Sequence, residues 1–204
     1  MNGDELWKWL NRRYPVIYYE WHMKWMDIWE QKVSQDIISK YQIKSMVDFG
    51  CGIGSFLYAA HQNNLKIKGF EYNLESAQKY IRKEISEFIE KADVSFPINC
   101  EKFDCAISFE VAEHLSPVPE RSVCFVENIV NAADRYIFFT AAPPGQKSKR
   151  HINFRTREFW IELFVKNKCT YLEKETEDCK TSWVLFKCPC YIINNIMVFN
   201  SKNT

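Results

Sequence analysis

The chain has 204 residues, 47% of them hydrophobic, enough to bury one good core but short for two independent domains. Lys and Arg total 27 against 26 Asp and Glu, a formal charge of +1, so no global field draws in long nucleic acid or an anionic membrane, and any anion-binding surface must be local. Met1 to Leu10 carries Asp4 and Glu5 where a secretory leader would be basic then apolar, and no apolar run reaches membrane-spanning length.

The first 40 residues hold five of the seven tryptophans (Trp7, Trp9, Trp21, Trp25, Trp29) together with Tyr14, Tyr18 and Tyr19. Trp21, Trp25 and Trp29 recur every four residues, which predicts one face of a helix. Residues 1–40 therefore read as an aromatic-rich helical extension, either packed on the rest or acting as a lid whose rings stack on a flat or sugar-bearing substrate. Residues 41–204 read as the second unit. Met46 to Gly54 is an apolar run that breaks into glycines, and Ser55 to Gln62 resumes in helix-compatible residues: strand, tight loop, helix. Ile67 to Phe70 repeats the strand, and Leu74 to Ile85 follows at helical spacing. Phe88 to Val94, Cys105 to Phe109 and Tyr136 to Thr140 predict further strands, with Pro119 to Ala132 a helix among them. Beyond Pro143-Pro144-Gly145, a helix over Thr156 to Lys166 and strands over Thr170 to Glu173 and Ile196 to Phe199 complete the pattern. Such alternation implies a parallel sheet covered on both faces. Eight cysteines scatter through these elements with no disulfide framework, and Cys188-Pro189-Cys190 lacks the usual two-residue zinc spacer, so reduced thiols in a cytoplasmic protein are expected.

An open parallel sheet binds ligands at the carboxyl ends of its strands, first of all at the turn after the first strand. Gly50, Gly52 and Gly54 allow positive backbone dihedrals and close approach to a ligand. In dinucleotide binders the third glycine falls three residues after the second, where this chain has Ser55. Asp48, just before the loop, would repel a phosphate but suit the ammonium of an amino-acid-bearing cofactor. Glu71, about twenty residues on at a strand end, is placed to accept from ribose hydroxyls, and Asp93 to reach an adenine amino group.

Val47-Asp48-Phe49-Gly50-Cys51-Gly52-Ile53-Gly54, Gly69-Phe70-Glu71-Tyr72-Asn73 and Phe103-Asp104-Cys105-Ala106-Ile107-Ser108-Phe109-Glu110 resemble successive motifs of class I S-adenosylmethionine-dependent methyltransferases, over roughly residues 45 to 200. The resemblance implies a Rossmann-like α/β fold, with a mostly parallel seven-stranded sheet and an antiparallel last strand. It also implies that Asp48 and the loop, Gly50, Cys51, Gly52 and Gly54, hold the methionine part of S-adenosylmethionine. Glu71, with Tyr72 beside it, would take the ribose, Asp93 with Val94 the adenine, and Glu110 would flank the transferring methyl group.

Glu110-Val111-Ala112-Glu113-His114-Leu115 follows the fourth strand, and on a helix Glu110, Glu113 and His114 would share one face. They could serve general base catalysis or ligate a divalent metal ion, or they could merely cap and orient a helix. Similar Glu-x-x-Glu-His runs occur in ubiquinone-pathway O-methyltransferases and in enzymes that methylate the 3′-terminal 2′-hydroxyl of small RNAs; in both the resemblance implies a metal, and in the RNA enzymes a further downstream histidine, for which His151 is the candidate here. His151 alternatively serves as a base or as a helix-entry hydrogen bond. Lys147, Lys149, Arg150, Arg155 and Arg157 crowd the same loop, either solvated or reading phosphates. Together these favour methyl transfer to an oxygen or nitrogen of a small-molecule or nucleotide-bearing substrate over action on long nucleic acid. The alternatives are a metal-dependent RNA-terminal enzyme and a cofactor-binding protein without turnover that engages a partner through its aromatic helix.

Overall fold

The alternation of apolar runs and amphipathic stretches resolves into seven strands: β1 (Ser45–Phe49), β2 (Lys66–Glu71), β3 (Ile89–Lys91), β4 (Phe103–Ser108), β5 (Ala133–Phe139), β6 (Cys169–Tyr171) and β7 (Met197–Ser201). The structure is a computed structural model that describes residues 3–11, 16–146, 148 and 150–201. Tyr14, Lys147 and Lys149, and the side chain of Trp9, lie outside what is described. The strands form one sheet in the order β3-β2-β1-β4-β5-β7-β6. β1 pairs in parallel with both β2 and β4, whereas β7 runs antiparallel to β5 and β6. The antiparallel last strand is as the family resemblance implied. Strand order reverses beside β1, so a crevice opens where β1 and β4 end.

Successive strand residues point to opposite faces and both faces are buried, which is why the strands read as continuous apolar runs. Met46, Cys105, Ile107 and Phe138 enter one hydrophobic cluster, and Val47, Ala106, Ile137 and Phe139 the other. The first cluster is covered by α3 (Asp27–Tyr41), α4 (Ser55–Gln62) and α8 (Glu173–Trp183), the second by α6 (Pro119–Ala132) and α7 (Arg157–Lys166). Val33 and Ile37 of α3 are fully buried there, so much of the amino-terminal segment belongs to the core.

Four local expectations are corrected. The run of Trp21, Trp25 and Trp29 is not one packed face, because the helix divides at Met26 into α2 (Val16–Trp25) and α3: Trp29 is buried against Phe56, while Trp21 and Trp25 are 47% and 60% exposed. Leu74 to Ile85 is not one helix but a single turn, α5 (Leu74–Ala77), and a later 3-10 segment, Lys83–Phe88. Arg82 stands extended between them and pairs in bidentate fashion with Asp27 at 2.7 and 2.9 Å. Glu110 does not begin a helix; it adopts a left-handed conformation, φ 54°, before a short 3-10 turn, Ala112–His114. Finally, the strand over Thr170 to Glu173 ends at Tyr171, and α8, whose buried stripe is only Thr176, Cys179 and Trp183, follows directly.

Asp27 fastens α3 to the start of α4 and to Arg82: it accepts from Ser55 Oγ at 2.7 Å and Gln31 Nε2 at 2.8 Å besides the guanidinium. Burial opposes its charge, yet the hydrogen bonds from Arg82 and Ser55 outweigh burial and hold its carboxyl below the usual range. Its stabilising contribution is therefore present above the ordinary carboxylate range and is lost as pH falls through the depressed value. Asp27→Ala should lower stability by about 2–4 kcal/mol at neutral pH, with the deficit shrinking in acid. Urea denaturation of both proteins at neutral and acidic pH measures this, and a deficit independent of pH would contradict it.

Candidate active site

The turn after β1 is pinned from beneath: the amides of Gly50 and Cys51 both donate to Phe70 O, at 2.8 and 3.0 Å. Gly50 has φ +89°, and a Cβ there would lie 2.4 Å from Val111 Cγ2, so the segment after β4 can close on the turn only because this position is glycine. Gly54 does the equivalent at the start of α4, where a Cβ would meet Ile85 Cδ1 at 2.7 Å. Cys51 turns its side chain into the core, and neither it, Gly54 nor the buried Asp48 lines the cavity above.

That cavity is lined by Gly50, Gly52, Glu71, Tyr72, Asp93, Val94 and Glu110, and roofed by Trp7 of α1 (Gly3–Asn11) and by Tyr18, Tyr19 and His22 of α2. The sequence thus brings most of its expected cofactor contacts to one place. Glu71 is buried and largely engaged: Oε1 accepts from Tyr19 OH at 3.1 Å and Asn73 N at 2.8 Å, and Oε2 from Gly52 N at 2.9 Å. Burial raises its pKa despite these donors. Asp93 Oδ1 accepts from the backbone and hydroxyl of Ser95. Trp7 meets Tyr72 edge to face, with centroids 4.6 Å apart.

Asp48 is 3% exposed, and burial first, then the charges of Glu30 and Glu71, push its carboxyl far above the usual range. Three carboxylates thus converge on one turn. An acid whose pKa is raised on folding loses stabilising effect as pH rises, since the unfolded chain ionises first. Asp48→Asn should accordingly be at least as stable as the wild type at neutral pH, with the advantage vanishing toward pH 4; thermal unfolding at two pH values checks it, and a variant less stable at both would refute it.

A second, larger cavity of about 590 Å³ adjoins the first, lined by Trp21, Met26, Trp29, Tyr191 and Ile192 on one side and Glu113, His114, Arg150 and His151 on the other. Tyr18, His22, Phe109, Glu110 and His114 line both cavities. His151 reaches His114 across 37 positions because Ile152 N and Asn153 N both donate to Glu113 O, at 2.9 and 3.0 Å, and Asn153 Nδ2 donates to Ala112 O. The imidazole centroids are 4.9 Å apart. Nδ1 of His114 lies 3.2 Å from Arg150 O, and Nδ1 of His151 is 3.2 Å from Gln146 O. A carbonyl can only accept, so both rings carry hydrogen on Nδ1 and a lone pair on Nε2. Burial, with His151 adding to it, draws His114 down to about 4, and burial lowers His151 as well.

Glu113, His114 and His151 each offer a ligand atom within 4.8 Å of the others; Glu110, expected as a fourth, is outside that group. Neither carboxylate oxygen of Glu113 accepts a well-formed hydrogen bond. Burial, then the charge of Glu110, raises the Glu113 carboxyl far above the usual range, and burial also raises Glu110. The left-handed backbone at Glu110 is a strained conformation for a residue with a Cβ, held by Glu110 N donating to Thr140 Oγ1 at 2.9 Å. The basic residues divide: Arg155 bonds Asn153 and Pro117 O, Arg157 bonds Tyr171 and Asn195 O, and Arg150 alone of these three lines the larger cavity. Sequence reasoning missed His22 and Glu30. Their spacing of eight, about two helical turns, was the available signal, and the aromatic repeat around them obscured it.

Among known proteins, the amino-pentose methyltransferase CalS10 of Micromonospora echinaspora, with S-adenosylmethionine bound, superposes with a TM-score of 0.64 at 12% identity, covering 93% of this chain and 98% of that one. The methyltransferase domain of the bacterial protein CtHen1-CN matches at 0.56 and 16% identity, over 85% and 99%. DesVI of Streptomyces venezuelae matches at 0.52 and 17% identity over 65% of this chain, which spans 59% of DesVI. At such identities these likenesses show the fold. No curated protein matches the sequence. Residues 38–173 match the methyltransferase domain family, two thirds of the chain, and the protein belongs to that family.

Proposed function

We propose that the protein transfers the methyl group of S-adenosylmethionine to an oxygen or nitrogen of a small or medium-sized acceptor seated in the 590 Å³ cavity. The observation that carries this reading is that the two cavities share Tyr18, His22, Phe109, Glu110 and His114, so a donor in one faces an acceptor in the other. When bound, S-adenosylmethionine supplies an activated methyl group on a sulfonium. The convergence of Glu30, Asp48 and Glu71 fits a ligand bearing sulfonium and ammonium charges and would repel a pyrophosphate. In this reading Asp48 serves the ammonium side, Glu71 the ribose hydroxyls, Tyr72, Asp93 and Val94 the adenosine, and Glu110 flanks the methyl group. Aromatic walls at Trp21, Trp29, Phe109 and Tyr191 suit an acceptor with a flat or apolar body, its hydroxyl or amine directed to the histidines. There the Nε2 lone pairs can take the proton that the acceptor gives up, while alignment of donor and acceptor supplies most of the rate. Attack in line with the breaking carbon–sulfur bond inverts the methyl carbon. Eight free cysteines fit residence in a reducing compartment such as the cytoplasm.

Calorimetry with S-adenosylhomocysteine should show binding that weakens about tenfold or more in Asp48→Asn. Unchanged affinity would remove Asp48 from the site. His151→Ala should lower kcat by about 10- to 100-fold while leaving that affinity intact; an undiminished kcat would exclude His151 as the proton acceptor.

The cluster of Glu113, His114 and His151 favours a second reading of the same site. Both Nε2 atoms are oriented by Nδ1–H donation to backbone carbonyls, the outer support that metal-bound histidines commonly have. A divalent cation held there would polarise an acceptor hydroxyl, as methylation of an RNA-terminal 2′-hydroxyl would require. Activity abolished by chelation and restored by a divalent cation supports this version; full activity after exhaustive chelation rejects it in favour of proton transfer to the histidines alone.

A further inference from the structure

S-adenosylmethionine carries a carboxylate as well as its two positive groups, and the first cavity is built mostly against anions. Its described lining includes Glu71, Asp93 and Glu110 and contains neither Lys nor Arg. The N–H groups of Gly50, Cys51, Gly52 and Gly54 are committed to Phe70 O, Glu71 Oε2 and Cys51 O. The start of α4 faces the Asp27 carboxylate through Ser55. Of the two imidazoles in the lining, His114 is neutral and its Nδ1–H is spent on Arg150 O.

His22 is placed differently. Its Nε2 lies 2.7 Å from Glu30 Oε2, and since a carboxylate accepts, Nε2 carries a hydrogen. The two side chains are 12% and 7% exposed. Its other nitrogen, Nδ1, is buried without a hydrogen-bond partner. The Cε1–Nδ1 edge lies over the cofactor turn: a Cβ on Gly52 would stand 3.6 Å from Cε1 and 3.9 Å from Nδ1. Burial alone would make the ring harder to protonate, but the charge and hydrogen bond of Glu30 outweigh it, with Asp27 and Glu71 adding in the same sense, and the net shift is upward.

We propose that His22, its ring held by Glu30, donates from Nδ1–H to the carboxylate of bound S-adenosylmethionine. The methionine part then lies between two opposite demands: its ammonium toward Asp48 beneath and its carboxylate toward His22 above. Glu30 acts as a positioning residue, keeping Nε2 hydrogenated and the free edge over Gly52. The amino-terminal helices thereby supply part of the cofactor site. The inference rests on assigning this cavity to S-adenosylmethionine.

The test compares S-adenosylhomocysteine with its decarboxylated counterpart, the thioether that retains the adenosine and the amine, by calorimetry on the wild type and on His22→Gln. The wild type should prefer the carboxylate-bearing ligand by about tenfold or more. His22→Gln should lose most of that preference while binding the decarboxylated ligand within about twofold of the wild type, which also shows that the variant is folded. A preference retained in His22→Gln, or both ligands weakened alike, overturns the role of His22 while leaving the cavity assignment standing. Failure of the wild type to bind either ligand overturns the assignment itself, and the role of His22 with it.

Discussion

Carboxylates held out of water around one glycine turn constrain everything else in this molecule. Asp48, Glu71 and Glu30 are each less than 10% exposed, and taking such groups from water is costly unless donors or a counter-charge receive them. Part of the cost is met inside the protein: Glu71 takes two backbone amides and the Tyr19 hydroxyl, and Glu30 takes His22. Asp48 is raised toward its neutral form instead. On the proposed reading such a site trades stability for affinity toward a cationic ligand, and the glycines make it possible by letting β2 and Val111 approach the turn with no Cβ between.

The amino-terminal helices are part of this arrangement. α3 contributes Val33 and Ile37 to the core, and Asp27 ties its start to Ser55 and Arg82. α2 contributes Tyr19 and His22 to the roof of the smaller cavity, and its exposed Ile17 and Trp21 line the larger one. Both helices thus join core to cavity: α3 also sends Trp29 and Glu30 to the lining of the larger cavity.

How much of this was legible in the sequence follows from what each signal encodes. Strands β1, β4 and β5 carry apolar runs buried on both faces, which announced them, and the glycine turn announced the ligand end of the sheet. The antiparallel β7 came from the resemblance to a known fold. α8 stayed hidden because only Thr176, Cys179 and Trp183 of its eleven residues are buried, too thin a stripe beside its charged residues. The helix expected over Leu74 to Ile85 failed because Arg82 is drawn to Asp27, a long-range contact that local periodicity does not contain. In the site, Asp48, Glu71, Asp93 and Glu110 were named from their places at strand ends, whereas the union of His114 with His151 depends on backbone bonds to Glu113 O. The His22–Glu30 pair was present as spacing, but tryptophans dominated the same stretch.

On the proposed reading the donor lies under α2 and presents its sulfur where the two cavities meet. A crystal structure of the complex with S-adenosylhomocysteine tests it most directly. The ribose hydroxyls are expected on Glu71, with the Tyr19 hydroxyl displaced, and the sulfur open toward Phe109, Glu110 and His114. Adenosine in the larger cavity, or a sulfur turned away from Glu110 and His114, would contradict it.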